Sequence, residues 1–214
     1  MYKHLDSLLA KAKKKVKAEF NKLGVMGFDE LNVVNTRKIT KAMFDRLLEL
    51  NESMYGKVAN DAYDKAVKSA KSVGYSSEEE PPDEDWLLSV LLTYNLVTGY
   101  LYDRESERKR LRLNEQILTA REYGDRNVFR DSVRKTANLW WTQTAQYGVS
   151  IVDRATIKGY EDMGVKYVRW VAVKDDKTCP DCDDRNGEIY KLSEVPEKTH
   201  YQCRCYLEPV KVEE

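Results

Sequence analysis

The sequence predicts a mainly α-helical protein with a small C-terminal β-ribbon zinc knuckle, an α+β fold in which long helices pack as a bundle or strut. Three observations support this prediction. Apolar residues recur at steps of three and four over most of the first 164 residues, which is typical of helices that bury one face. The 214 residues include only five prolines and ten glycines, so few positions break a helix. All four cysteines lie between Cys179 and Cys205, together with one of the two histidines.

The composition is that of a charged, folded protein. Hydrophobic residues make up 42% and charged residues 34%, and 36 basic residues balance 36 acidic ones. This balance gives no global attraction to nucleic acid, whose binding proteins usually carry a basic excess. We predict four regions: an N-terminal helical arm over residues 1–73, an acidic proline-containing linker over 74–85, a helical core over 86–164 and a β-ribbon zinc-knuckle domain over 165–214.

Residues 1–23 predict a short basic amphipathic helix. This stretch contains seven lysines and only two acidic residues, Asp6 and Glu19. A lysine-rich face is usually only solvated, and the alternatives are contact with DNA, an acidic partner or a membrane surface. Gly24 and Gly27 are expected to end the helix. The apolar positions at helical spacing are Leu5, Leu8, Leu9, Ala12, Val16 and Phe20.

Residues 29–73 continue the helical period with one long apolar stripe, which predicts core packing or a strut against a neighbouring subunit. Because forty residues are many for one globular helix, we expect a break near Asn51 or Gly56. The next region, residues 74–85, reads GYSSEEEPPDED. Its two prolines forbid a continuing helix, and its acids suit the start of the next one.

Residues 86–102 carry no charge over seventeen positions. A membrane-spanning helix needs about twenty apolar residues, and this stretch is interrupted by polar ones. We therefore predict a buried helix and no membrane span.

Residues 103–123 predict a charged helix that turns Leu111, Ile117 and Leu118 inward. The densest basic cluster of the chain runs from Arg108 to Arg112. It can face DNA phosphates or an acidic protein surface. Alternatively, it pairs with glutamates one turn away at positions 105, 107 and 115.

Residues 127–162 predict another long helix, and its two apolar seams indicate packing on both sides. Gly164 is expected to end it. Residues 165–173 then alternate as VKYVRWVAV, which predicts a strand. Ile189–Leu192 and Cys205–Val210 are expected to pair with that strand in a small antiparallel sheet.

The cysteines predict a zinc site. Cys179 and Cys182 form a CxxC pair, and His200 with Cys203 forms an HxxC pair 17 residues later, a spacing typical of structural zinc. Cys205 is a fifth candidate ligand and the first substitute for Cys203. A cysteine-rich set with a spare member indicates a closed structural Zn²⁺ site, because catalytic zinc keeps one position open for water.

Three alternatives remain open from the residues alone. Two disulfides are one, although no signal peptide precedes them and a CxxC beside a histidine more often binds metal in a reducing compartment. A zinc hydrolase or nuclease is another, but with His200 committed only His4 remains as a histidine base. A DNA-binding zinc ribbon is the third, and the many acidic residues around the cysteines oppose it.

The run from Trp170 to Pro209 resembles the C-terminal signature of the phage head morphogenesis family, the minor head proteins typified by the Mu F-like proteins. Tyr201 departs from that signature, which usually has proline there. The resemblance extends over about residues 125–209. The matching residues are Trp170, Asp176, Thr178, Cys179, Pro180, Cys182, Gly187, His200, Cys203, Arg204, Cys205 and Pro209.

The resemblance implies a structural minor capsid protein of a tailed bacteriophage rather than an enzyme. It implies partners in the portal protein and the major capsid protein, and a role in head assembly and in DNA packaging or delivery. The expected location is the virion or procapsid head, assembled in the host cytoplasm. Non-specific DNA contact through the lysine-rich N-terminus or Arg108–Arg112 is a further expectation. Asp176 is expected to support the metal site by capping the turn at Thr178 or pairing with Arg204.

Overall fold

The computed structural model describes residues 3–25, 28–77, 96–174, 178–198 and 203–212. Four long helices dominate this part of the chain: α1 (Lys3–Val25), α2 (Val33–Ser72), α3 (Leu96–Glu122) and α4 (Arg126–Asp162). They are followed by strand β1 (Tyr167–Val171), the short helix α5 (Pro180–Asp184), β2 (Ile189–Lys191) and β3 (Tyr206–Val210). Two 3₁₀ turns, Phe28–Glu30 and Leu192–Glu194, complete the described elements. The predicted α+β class is confirmed.

The chain divides into two compact units. The helical unit comprises Ser7–Met54 and Leu92–Ala145, and the ribbon unit comprises Met1–Asp6, Tyr55–Leu91 and Gln146–Glu214. Helices α1, α2 and α4 each contribute residues to both units, because the division falls inside them. The four regions read from the sequence stay a prediction about domain boundaries.

The helical unit is built around an aromatic core. The rings of Phe44 and Trp140 meet edge to face with their centroids 5.2 Å apart, a favoured aromatic geometry. Buried polar groups pair inside the same unit, where the Thr40 hydroxyl lies 2.6 Å from the Asn114 side-chain oxygen. The Asn51 amide donates to the Thr144 hydroxyl at 3.0 Å. Such pairs offset the cost of burying polar atoms.

The ribbon unit contains a three-stranded antiparallel sheet in the order β2-β1-β3. In the register, Trp170 faces Leu207, and Val168 faces Pro209 on β3 and Tyr190 on β2. Val168 and Trp170 point into a core that also contains Tyr160 from α4 and Ala66 from α2. The sheet was predicted with this pairing. Strand β1 is four residues shorter than the alternating pattern indicated, and β2 and β3 are each one residue shorter than predicted.

The expected break in the second helix is wrong, because α2 runs unbroken for 40 residues. Asn51 does not end the helix, since its side chain is buried and bonded to Thr144. The prediction that Leu111 points inward is also wrong. Leu111 is 51% exposed, whereas Leu113 and Ile117 are fully buried. The buried face of α3 contains Leu113, the polar Asn114 and Ile117. Because one of these residues is polar, a pattern of apolar residues alone placed the wrong leucine on that face.

The predicted bounds of the first and last long helices agree closely with the structure, whereas the prediction for residues 86–102 is largely untested. Helix α1 covers the predicted basic helix, and α4 begins one residue before the predicted start and ends where predicted. The interpretation of residues 86–102 as a buried helix lies largely outside the described residues, and side-chain burial is described only from residue 104 onward. Among the helices that the structure describes, none is both long and apolar enough to cross a membrane.

Candidate metal centre

Three buried thiols come together in the ribbon unit. The Sγ atoms of Cys182, Cys203 and Cys205 all lie within 4.8 Å of one another, and those of Cys182 and Cys203 are 3.4 Å apart. The three residues are 1%, 1% and 4% exposed. Within the described ranges, no other His, Cys, Asp or Glu side chains form a group of this kind.

A short helix places the first thiol. Cys179 caps the N-terminus of α5 in an extended conformation, and Pro180 occupies the first turn, where its missing N–H costs nothing. The Cys182 N–H donates to the Cys179 carbonyl at 3.1 Å and lies 3.4 Å from the Cys179 Sγ, which accepts from it. The CxxC sequence therefore forms a tight turn that directs Cys182 into the core and leaves Cys179 half-buried.

The segment after α5 is anchored on the central strand β1. Gly187 donates to the Trp170 carbonyl at 2.8 Å, and Trp170 donates to the Glu188 carbonyl at 2.9 Å. Gly187 has a φ of +93°, a conformation that costs glycine little and most other residues more. The Asn186 side-chain oxygen accepts from Ala172 N–H at 2.9 Å. These bonds hold the CxxC turn against β1.

The second pair of thiols lies just before the edge strand β3. Cys203 and Cys205 immediately precede β3, whose residues pair with β1 along its whole length. The segment that carries Cys182 and the segment that carries Cys203 and Cys205 are therefore both positioned by hydrogen bonds to the central strand β1. Trp170, buried beside the cysteines in this core, carries the guanidinium of Arg185 over its ring at 5.4 Å.

Burial makes these thiols reluctant to ionise on their own. Desolvation raises the pKa of the Cys182 thiol well above its ordinary value, and it also raises the pKa of Cys203. Removing charge from water is expensive, and adjacent thiolates repel one another. A divalent cation reverses both effects, because it stabilises each thiolate that it binds. Exposed carboxylates nearby, at Asp181, Asp183 and Asp184, add a field that favours a cation.

The distances fit a zinc ion better than a disulfide. A bonded S–S pair is about 2.05 Å long, well below the 3.4 Å between Cys182 and Cys203, and all four cysteines are free thiols. With Zn–S bonds of about 2.3 Å, a tetrahedral ion separates its sulfur ligands by roughly 3.8 Å. The 3.4 Å between the Cys182 and Cys203 sulfurs and the 4.8 Å upper limit for the other two pairs lie on either side of that value. Three buried Cys residues can bind a metal here.

An ion pair that sequence reasoning missed lies beside the cluster. The Lys198 ammonium donates to Asp153 of α4 at 2.7 Å and to the Cys203 carbonyl at 3.3 Å. Both side chains are largely buried, at 19% and 26% exposure. The partners are 45 residues apart, so no local pattern could have revealed the pair. Its positive charge acts to lower the pKa of Cys203, although burial outweighs it.

The structure thus brings together three of the five predicted ligands and places Cys179 beside them. His200 lies outside the described residues, as do Tyr201 and Asp176. Thr178, which Asp176 was expected to cap, donates its hydroxyl to the Val173 carbonyl at 2.5 Å. The preference for Cys203 over Cys205 stays open, because both sulfurs belong to the same buried group.

The fold and the site define a class of protein: long helices joined to a small three-stranded ribbon that gathers buried cysteines. Residues 120–208 match the family model described as phage Mu protein F like protein. The match confirms the resemblance that was read over about residues 125–209, and it begins five residues earlier, at the end of α3. It supports a phage head-related protein. No curated protein and no solved structure matches the chain significantly.

Proposed function

We propose that this chain is a structural minor capsid protein of a tailed bacteriophage, associated with the portal vertex and acting in head assembly. Its partners are the portal protein and the major capsid protein, and its location is the procapsid and virion head. The match to the Mu F-like head family over residues 120–208 is the observation that carries this proposal. Participation in DNA packaging or delivery belongs to the same proposal.

The ribbon acts in this proposal as a rigid clasp held by structural Zn²⁺. Its ligands are Cys179, Cys182 and His200, with Cys203 or Cys205 completing the set. The proximity of three buried thiols supports this assignment, and so does the N-cap position of Cys179 beside Cys182. The bound ion supplies folding energy, on the order of 10 to 16 kcal/mol in zinc-finger peptides at neutral pH, to a ribbon of three short strands. The role is mechanical rather than catalytic.

Metal content tests the clasp. The purified protein is expected to contain one zinc ion per chain, measured by elemental analysis after gel filtration. Separate Ser substitutions at the four cysteines then identify the ligands: loss of zinc marks a ligand, and retention marks the spare thiol. Substitution of the exposed Ser193 by Ala is a matched control in the same ribbon and should retain the ion. A wild-type protein with no zinc, or with two disulfides by mass spectrometry, would refute the clasp.

Association with the head needs a separate test. We expect the protein to co-purify with the portal protein from assembling procapsids and to remain there after a high-salt wash. Cys182→Ser tests whether the clasp is required for that association. Sedimentation of the wild-type protein free of heads and portal would overturn the assembly role and leave the metal site standing.

A further inference from the structure

The net charge of zero conceals an uneven distribution. The helical unit, Ser7–Met54 and Leu92–Ala145, contains 20 Lys and Arg residues and 13 Asp and Glu residues. It therefore carries a formal charge of +7, and the rest of the chain carries −7. The sequence-wide balance that argued against nucleic acid does not describe this unit.

Helix α1 carries the most one-sided part of that charge. Five lysines, at positions 11, 13, 14, 15 and 17, are exposed, and no acidic residue lies between Asp6 and Glu19. Glu19 itself pairs with Lys22 at 2.6 Å and with Arg46 at 2.8 Å. The first carboxylate after the lysine run is therefore already shared between two other cations.

The opposite face of α1 is committed to the core. Val16, Phe20 and Leu23 are at most 2% exposed and belong to the aromatic core of the helical unit. Insertion of an amphipathic helix into a bilayer requires a free apolar face, and α1 has already buried its own. Only the lysine face is available to a partner.

The chemistry of the lysine face favours nucleic acid over an acidic protein. Protein interfaces depend on aromatic and Arg anchors and are depleted of Lys. Between Ser7 and Lys22, no large hydrophobic residue is exposed, and the exposed positions are six lysines, two alanines, Ser7 and Asn21. Contact with a nucleic-acid phosphate backbone, in contrast, needs only positively charged side chains spaced along the helix.

Three of the four cations in the other basic cluster of the same unit, Arg108 to Arg110, are paired with neighbouring glutamates. On α3, Arg108 and Lys109 both pair with Glu105, at 2.9 and 3.5 Å. Arg110 pairs with Glu107 in a two-pronged contact, which raises the pKa of Arg110 and lowers that of Glu107. The negative charge of Glu105 and Glu107 lowers the positive potential around these cations, so the cluster attracts a phosphate less strongly than its number of cations indicates. The two clusters therefore differ in availability although their charges are similar.

We infer that the lysine face of α1, Lys11 to Lys17, binds the phosphate backbone of nucleic acid without sequence preference, and that the Arg108–Arg112 cluster does not. This goes beyond the proposed head role, since it names the surface and the chemistry of the ligand. It does not depend on the metal, because the helical unit contains none of the cysteines.

The test compares two variants of the full chain with equal loss of charge. The first changes Lys11, Lys14, Lys15 and Lys17 to Gln, and the matched control changes Arg108, Lys109, Arg110 and Arg112 to Gln. Binding to a fluorescent mixed-sequence duplex of about 30 base pairs is measured by anisotropy between roughly 50 and 200 mM NaCl. Each phosphate contact contributes about −0.9 to the slope of log K against log salt. We expect the lysine variant to lose about three to four units of slope and the control to lose less than one.

A third variant, with the same four lysines changed to Arg, separates charge from folding. It should bind as the wild type does, and circular dichroism should show equal helix content in all four proteins. Vesicles of anionic phospholipid are the competing probe. The inference is overturned if both Gln variants lose binding equally, if the wild type does not bind DNA at 50 mM salt, or if vesicles bind more tightly than the duplex. None of these results bears on co-purification with the portal.

Discussion

At the scale of single residues, Tyr160 shows how one hydroxyl joins a helix to the sheet. Its side chain is fully buried, and its hydroxyl donates to the Leu207 carbonyl of β3 at 2.9 Å. Burial raises the pKa of Tyr160 to about 12. A second hydroxyl, that of Tyr75, donates to the Val210 carbonyl at 2.9 Å. The two tyrosines connect this edge strand to α4 and to the segment that follows α2.

The raised pKa of Tyr160 predicts a loss of stability at alkaline pH. Its stabilising effect is fully present below the unfolded pKa of about 10 and is lost as pH rises towards 12, because the unfolded chain releases the proton first. The loss should be about 1 kcal/mol by pH 11. Urea unfolding of the wild type and Tyr160→Phe between pH 8 and 11 measures it. The Phe variant should be less stable at pH 8 and should show a flatter pH dependence; identical slopes would contradict the assignment.

Lys198 is the second residue whose role depends on its surroundings. Its ammonium links Asp153 of α4 to the carbonyl of Cys203, next to a cluster that becomes anionic when thiolates bind a metal. A cation at that position stabilises the added negative charge, and the bridge to α4 orients the segment that carries Cys203. We therefore assign Lys198 a positioning role for the proposed metal site.

Replacing Lys198 by Met should weaken metal binding by about 10-fold or more, as is typical when a group supporting a ligand is removed. Affinity for Co²⁺ and Zn²⁺, measured by competition with a chromogenic chelator, gives the readout. The control is Lys191→Met, because Lys191 pairs with Glu194 at 3.2 Å on the exposed surface. Such exposed pairs contribute little. Equal affinities for the two variants would remove Lys198 from the site.

At the scale of elements, α2 and α4 approach closely in the ribbon unit. A Cβ added at Gly159 would lie 2.9 Å from the Ala66 Cβ and 3.1 Å from the Tyr63 carbonyl oxygen. Only glycine lets the two helix backbones pack at this distance. The small residues Ala66 and Ala70 on α2, both fully buried, have the same effect from the other side.

Gly159→Ala should therefore destabilise the fold by about 1 to 3 kcal/mol, the usual cost of overpacking a tight contact. Gly24→Ala is the matched control, since Gly24 also lies in a helix but has nothing within 4 Å of the added methyl group. Removing a helical glycine at an open position should stabilise by up to about 1 kcal/mol. Thermal and urea unfolding of both variants measure the change in the free energy of unfolding, which should fall for Gly159→Ala and rise for Gly24→Ala. A neutral Gly159 variant would show that the helices can separate without cost.

At the scale of the whole molecule, the part of the chain that the structure describes places Trp140 and Trp170 in two different hydrophobic clusters. Trp140 lies in the core of the helical unit, 2% exposed. Trp170 lies in the core of the ribbon unit with Cys182, Cys203 and Cys205. A structural change at the thiol cluster is therefore expected to alter the environment of Trp170 more than that of Trp140.

Removal of the metal should disturb one tryptophan and spare the other. With chelator, we expect a red-shifted emission and greater acrylamide quenching from Trp170, because the ribbon loses the ion that holds its thiols together. Trp140 should change little. The variants Trp140→Phe and Trp170→Phe separate the two signals, and the remaining tryptophans form a common background. An equal response of both variants to the chelator would show that the ion supports the whole chain rather than the ribbon.

Local rules in the sequence were sufficient for much of the fold and for part of the site. Helical periodicity located α1, α2 and α4 within a few residues, and alternation located the strands. Cysteine spacing pointed to a metal, and the residues around the cysteines pointed to the Mu F-like family, whose model matches residues 120–208. These features depend on neighbours within a few positions, so the order of residues alone determines them.

Only the tertiary structure decided which residues meet. It gathered the sulfurs of Cys182, Cys203 and Cys205 within 4.8 Å of one another, buried Leu113 in place of Leu111, and joined Lys198 to Asp153 across 45 residues. It also grouped distant segments into a unit of +7 within a neutral chain. Each of these results depends on how complete helices and strands pack together, and packing energy is shared among residues far apart in sequence. A periodic pattern cannot encode such pairings because it describes only one element at a time.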